Sequence, residues 1–380
     1  MAGIYIHIPF CKQACFYCDF HFSTNMAKKD TMIWSLEQEL LLRKEVFHNE
    51  QIETIYFGGG TPSVLQITEI ERLLDSVYRN YKVIASPEIT LEANPDDLSV
   101  IKIKQLSDSS INRLSIGIQS FFDEDLKLMN RAHNADEAHI CLSEARKHFD
   151  NISIDLIYGI PGLTNTRWEE NITKALSYSL PHLSSYALTV EPKTALKALI
   201  KKGVIPDVND ETAQQQFYML LDQLEGEGYL NYEISNFGKE GYFSRNNTAY
   251  WLGKRYLGIG PSAHSYDGNK RSWNINNNSK YIKSISQKAL PMEEELLTKT
   301  DRYNEYIMTA LRTIWGVSLN RIKTVFGDRY YKYLLQQSNK YLNQELLLLD
   351  GDKLTVAKKG KFLCDGIASD LFMIKLKRDS

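Results

Sequence analysis

Across the first half of the chain, short apolar runs alternate with longer segments of helical period, which predicts a β/α architecture around a parallel sheet. Strands are expected at 4–8, 53–57, 88–93, 113–118, 152–158 and 183–189. Helices are expected between them, at 31–47, 67–80, 98–107, 136–148 and 166–178. Six βα units in under 200 residues suit a partial barrel better than a closed eight-stranded one.

Successive side chains of a strand point to opposite faces. One face reads Ile4, Ile6, Ile8; Ile55, Phe57; Ile89, Leu91; Leu114, Ile116, Ile118; Ile152, Ile154, Leu156; Tyr186, Leu188. The other reads Tyr5, His7; Tyr56, Gly58; Thr90, Glu92, Asn94; Ser115, Gly117, Gln119; Ser153, Asp155; Ser185, Ala187, Thr189. An antiparallel sheet with one wet face alternates in the same way, but the helix-length crossovers favour a barrel. The apolar face should meet the helices. The small and polar face should line the interior, where an ordinary barrel packs branched aliphatics. A polar interior means a ligand cavity.

The pattern dissolves at Glu191-Pro192-Lys193 and Ile205-Pro206-Asp207, a boundary or lid. A helix around 211–226, a strand at 230–235 and an irregular, aromatic-rich stretch through 278 should follow. Residues 300–345 read as three helices, and 346–372 as a β-hairpin and helix of winged-helix character. The expected division is a barrel over 1–190, an extension over 191–295 and a smaller α+β domain over 296–380.

Composition narrows the class. The chain has 380 residues, 43% of them hydrophobic and 24% charged, with a formal net charge of −2, so nothing draws it to nucleic acid or anionic membrane. The basic tail Lys375-Leu376-Lys377-Arg378 reads as a solvated terminus. No apolar run approaches the roughly 18 residues of a membrane helix, and no signal peptide is apparent. Five unevenly spread cysteines do not resemble a disulfide framework. Reduced thiols in the cytoplasm are expected.

Cys11, Cys15 and Cys18 follow the first strand with C-x3-C-x2-C spacing. A structural zinc site normally pairs two such halves, and here His7 or His21 would have to complete it. A redox pair would use Cys15 and Cys18 and leave Cys11 superfluous. An iron–sulfur cluster takes thiolates as its usual ligands, and three of them on a four-iron cube leave one iron open. The cluster is the preferred reading. After the second strand, Gly58-Gly59-Gly60-Thr61-Pro62 lets the backbone approach a ligand and offers N–H donors. Glu92, Gln119 and Asp155 sit near the ends of the next three strands, where barrel sites lie. A ribose, an ammonium group or Arg131 would serve as partner for these buried carboxylates.

These residues resemble the radical S-adenosylmethionine superfamily. Tyr-Ile-His-Ile-Pro-Phe-Cys (5–11), Gly-Gly-Gly-Thr-Pro-Ser (58–63), Glu-Ala-Asn-Pro (92–95), Asn-Arg-Ala-His (130–133), Ile-Asp-Leu-Ile-Tyr-Gly-Ile-Pro-Gly (154–162) and Leu-Gly-Ile-Gly-Pro-Ser-Ala-His-Ser (257–265) are similar to the branch of the oxygen-independent coproporphyrinogen III oxidases. The resemblance spans nearly the whole chain. It implies a [4Fe–4S] cluster on Cys11, Cys15 and Cys18, whose open iron chelates S-adenosylmethionine for reductive cleavage of its sulfonium. It implies that Tyr5, Tyr17 and the Gly59–Gly60–Thr61 backbone contact the cofactor, with Glu92 on its ribose. Gln119, Arg131, Asp155 and Ala187 match further positions of the cofactor pocket.

Two departures separate the chain from the oxidases. The oxidases carry another cysteine where this sequence has Phe20, and a long arm before the first cysteine, whereas ten residues precede Cys11 here. Both features resemble the HemW-type haem chaperones, which implies haem as cargo and a haem-acceptor protein as partner. The alternative is oxidative decarboxylation of coproporphyrinogen III. Chaperones of this type carry His-Asn-x-x-Tyr-Trp, and Asn246 stands here in place of that histidine. An amide is a poor haem ligand beside imidazole, so His264 is the substitute expected, with Tyr250 and Trp251 stacking on the porphyrin. His48, His139, His148 and His182 are expected on helices, turns or the surface.

Overall fold

A computed structural model describes residues 2–48 and 50–374; the basic tail lies outside the described residues. Six parallel strands run in order, β1 (Ala2–Ile8), β2 (Gln51–Gly59), β3 (Lys82–Ala93), β4 (Arg113–Gln119), β5 (Ile152–Tyr158) and β6 (His182–Ala187). Each neighbouring pair is in parallel register, for example Ile4 with Ile55 and Asp155 with Ser184. Helices Lys29–Leu42, Ile67–Asn80, Val100–Ser107, Ala135–Ala145 and Asn165–Ser177 provide the crossovers. Their apolar stripes seal the outer face of the sheet. Ile70, Leu73, Leu74 and Val77, spaced as one helix face, pack in a single core with the fully buried Ile4, Ile6, Ile8, Ile55 and Phe57.

The inner face curls around a cavity to which every one of the six strands contributes: Tyr5, Tyr56, Glu92, Ser115, Asp155 and Tyr186 all line it. β1 and β6 do not pair with each other, so the barrel is partial. Beyond β6 lie the antiparallel β8 and β7, reached after β7 (Leu230–Glu233) and before β8 ends at Gly238. Beyond β1 lie β9 (Tyr256–Ile259, parallel), then β10 (His264–Tyr266), β11 (Lys270–Asn274) and β12 (Met292–Leu296).

Two expectations change. The stretch to 278, read as irregular, holds helix Arg245–Trp251 and β9 to β11. Strands of three to five residues are too short to display a period of two. The parity of β6 is also reversed: Ser184 and Tyr186 face the cavity with Asp155, while Leu183 and Ser185 turn to the helices. His182 sets that parity. It is fully buried, not on the surface, with Nδ1 against Ser153 Oγ at 2.7 Å and Nε2 against the Tyr232 hydroxyl at 2.8 Å. Tyr186 follows it inward to reach Gln119 Oε1 at 3.4 Å.

A second core, from Tyr303 to Met373, belongs to the C-terminal part. Helices Lys299–Leu311 and Asp328–Asn343 flank a short helical turn over 319–326, and β14 (Leu347–Asp350) and β15 (Lys353–Val356) form a hairpin joined by β13 (Val317–Ser318). The helix Cys364–Asp370 closes it.

One buried carboxylate ties the β9–β12 extension to the barrel. Glu39, on the first helix, is fully buried and accepts from Gly260 N at 2.7 Å, Asn274 Nδ2 at 2.8 Å, the Tyr281 hydroxyl at 2.6 Å and Arg43 Nη1 at 3.2 Å. Arg43 in turn donates to Gly258 O and Ser265 Oγ. Removing one member of such a buried set leaves an uncompensated charge, at a cost of about 3–5 kcal/mol. Glu39→Ala should therefore lower the urea midpoint sharply, and Glu39→Gln, which keeps part of the hydrogen bonding, should lower it less. An unchanged midpoint for Glu39→Ala would contradict this role.

Candidate functional site

The cysteine loop leaves β1 and is pinned on both sides. Cys11 N donates to Ser23 O at 3.1 Å, Phe16 N to Met129 O at 3.1 Å and Leu196 N to Phe16 O at 2.8 Å. Asn130, in the left-handed region at φ 56°, reaches Ala14 O at 2.8 Å. From the other side the glycine run closes on the same turn: Gly60 N bonds Ile8 O at 2.9 Å and Thr61 N bonds Phe10 O at 2.7 Å. A Cβ on Gly60 would stand 2.6 Å from Phe10 O, so only glycine fits.

All five cysteines are free thiols. Burial pushes the Cys11 thiol up to about 12 and the Cys18 thiol up to about 11. Thr61 Oγ1 donates to Cys11 Sγ at 3.3 Å and Arg131 Nη1 to Cys15 Sγ at 3.4 Å, donors that favour thiolates once a metal displaces the protons. Among the described residues no three Cys, His, Asp or Glu side chains converge on a point that would hold one ion. A zinc ion needs such a point; a cube, whose irons each take one thiolate, does not. The donor set therefore fits the cluster.

The lumen behind the loop is a cavity of about 580 Å³. Tyr5, Cys11, Cys15, Tyr17, Cys18, Gly59, Gly60, Thr61, Glu92, Gln119, Arg131, Asp155 and Ala187 all line it. Glu92 accepts from the Tyr56 hydroxyl at 2.8 Å and from Gly59 N at 3.2 Å. Arg131 is held by Asn94 Oδ1 at 2.7 Å and Gly117 O at 2.8 Å. Gln119 ends β4 at φ 65°, a conformation a non-glycine residue adopts at a cost. Tyr17 is also buried, and its hydroxyl stays protonated. A lumen with a wall of carboxylates, N–H donors and a phenol suits a polar ligand carrying hydroxyls and an ammonium group.

The alternation of β4 extends one residue further than expected. Arg113 precedes Ser115, Gly117 and Gln119 on the same face and lines the lumen floor, with its Nε and Nη1 lacking a protein partner. Its charge, with that of Arg131, pulls the Asp155 carboxyl down, yet burial wins and pushes it up to about 6. Glu92 is pushed up to about 7, first by burial and then by Asp155, against the hydrogen bonds from Tyr56 and Gly59. Both groups touch the enclosed cavity but are remote from bulk solvent.

Trp251 and His264 line a different and larger cavity of about 930 Å³, between β9–β11 and the C-terminal helices. Tyr250 lines both cavities, as do Tyr5, Asp19 and Phe20. Asn246 does not line the larger one. It is buried beside the lumen, where its Oδ1 accepts from Thr54 Oγ1 at 3.1 Å and its backbone N–H donates to Glu88 at 3.0 Å.

A family model described as the radical SAM superfamily matches residues 5–175, and one for the HemN C-terminal domain matches residues 297–363. The chain belongs to the radical SAM superfamily and has its α/β fold. The crystal structure of coproporphyrinogen III oxidase (HemN) from Escherichia coli superimposes with a TM-score of 0.85, covering 98% of this chain and 90% of that one at 24% identity, which establishes the fold. Haem chaperone HemW of Bacillus subtilis is 36% identical over 331 residues, 86% of this chain and 87% of that protein. HemW of Lactococcus lactis is 34% identical over 374 residues, 96% of this chain and 97% of that protein. Within the superfamily, the chain belongs to the HemW family. Among the described residues no helix is long and apolar enough to cross a membrane.

The carboxyl of Glu92 binds its proton more tightly folded than unfolded. The folded state is therefore penalised as pH rises through the ordinary value of 4.5, and the penalty is complete above about 7. At 1.36 kcal/mol per pKa unit this amounts to about 3 kcal/mol at most. Glu92→Gln should raise the melting temperature of the ligand-free protein relative to wild type at about pH 8 and much less at about pH 5. A difference independent of pH would contradict the burial argument.

Proposed function

We propose that this chain is a haem chaperone, which binds haem and passes it to an acceptor protein. Cys11, Cys15 and Cys18 would hold a [4Fe–4S] cluster, and the lumen S-adenosylmethionine. Tyr5, Tyr17 and the Gly59–Gly60–Thr61 backbone would face the methionine part and Glu92 the ribose, with Gln119, Arg131, Asp155 and Ala187 shaping the rest. When bound, these groups supply reductive cleavage of a sulfonium. The chain's own residues orient them and exclude water. The family relationship supports this reading, since the relatives most like it are named haem chaperones.

One observation carries the haem part. Three imidazoles line the larger cavity, and His264 alone among them makes no side-chain hydrogen bond among the described residues. His7 is tied to Tyr5 and His21 O, and His21 to Asn278 Oδ1 at 2.7 Å. His264 stacks on Trp273 with ring centroids 5.9 Å apart. Burial and then the Arg271 charge lower its pKa, which keeps the imidazole neutral and its lone pair available. Tyr250 and Trp251 offer the same cavity aromatic surface. Asparagine at 246 removes no ligand from this cavity, because that position faces Thr54.

The reconstituted protein, titrated anaerobically with haem, should bind one equivalent with a Soret band of imidazole-ligated iron. His264→Ala should weaken binding about tenfold or more and shift that band. Given S-adenosylmethionine and reductant, the protein should leave coproporphyrinogen III unchanged. Formation of decarboxylated porphyrinogen would favour the oxidase instead.

A further inference from the structure

The charges of the larger cavity gather at one place. Arg271 on β11, Arg302 on helix Lys299–Leu311 and Arg321 at Leu319–Arg321 all line it, and all three, with Glu305, act on the hydroxyl of Tyr266. The three guanidinium groups are not equivalent. Arg271 Nη2 sits 2.6 Å from Glu305 Oε1 and is neutralised by it. Arg302 donates from Nη1 to the neutral Asn269 Oδ1 at 3.1 Å, and its buried Nε has no partner. Arg321 lies with its guanidinium 4.3 Å over the Tyr306 ring. No carboxylate forms an ion pair with Arg302 or Arg321 among the described residues. The other acid of the lining, Asp19, belongs to the cysteine loop.

Two cations without counter-charges, beside an aromatic wall, ask for a flat apolar ligand carrying two carboxylates. Arginine binds carboxylate through a fixed planar fork of donors, and stacking on Tyr306 holds one such fork in place. We propose that Arg302 and Arg321 bind the two propionates of the haem, and that Glu305 holds Arg271 in place as the neutral floor between them. This rests on the haem reading above and adds to it the orientation of the ring, with the propionate edge toward the C-terminal helices. It also sets a selection rule: two unpaired guanidinium groups match a dicarboxylate and leave a tetracarboxylate such as coproporphyrin with two carboxylates unmatched.

The test compares haem with haem dimethyl ester on the same reconstituted wild-type protein, followed by Arg302→Gln and Arg321→Gln, with thermal unfolding as the check on folding. The ester should bind about tenfold or more weakly than the diacid, the equivalent of losing one charge-assisted hydrogen bond. Each variant should lose a similar factor for haem and almost none for the ester. Equal binding of haem and ester by wild type overturns the arginine assignment and leaves the haem reading intact. No binding of haem by wild type overturns the haem reading itself. The ester comparison needs no variant, so a variant that fails to fold does not blunt it.

Discussion

No side chain fits between the end of β1 and the end of β2. Gly60 passes so close to Ile8 O and Phe10 O that a Cβ would collide with both, and the two backbone hydrogen bonds made there fix where the cysteine loop starts. From that point the loop has to turn across the mouth of the barrel. Thr61 meets Cys11, Arg131 meets Cys15, and the segment after Cys18 becomes a wall shared by two cavities. The chemistry of the lumen and the room outside it thus depend on one close backbone approach.

The shared wall gives Phe20 its meaning. Its side chain is 69% exposed, unusual for a phenylalanine, because it faces open space in both cavities instead of packing into a core. On its lumen side stand thiols, carboxylates and N–H donors; on its other side stand imidazoles, aromatic rings and arginines. The second space exists because β1 is not the edge of the sheet. β9 to β12 continue it, and Glu39 and Arg43 hold that continuation to the first helix.

Much of this was legible in the sequence. Long, strongly alternating strands announced themselves, as β1 to β5 did, and the polar face of those strands is the lumen wall. Parity failed in β6 because its register is set by a buried histidine, whose partners Ser153 and Tyr232 come from distant parts of the chain. Arg113 was missed for a related reason: as the first residue of its strand it reads as a surface charge, although continuing the alternation by one position would have placed it inside. The second cavity was hidden almost entirely. Its walls are short strands interrupted by glycine together with helices from the far end of the chain, and a local period cannot report such an encounter. His264 and Trp251 were visible as residues, but not the space they share with Arg302 and Arg321.

The most direct test is diffraction at the iron absorption edge from crystals of the reconstituted protein with haem. The account predicts two separate iron sites: a cluster held by Cys11, Cys15 and Cys18, and a single iron beside His264, with Phe20 between them. A single iron inside the lumen over Glu92, or haem density away from His264, would contradict it.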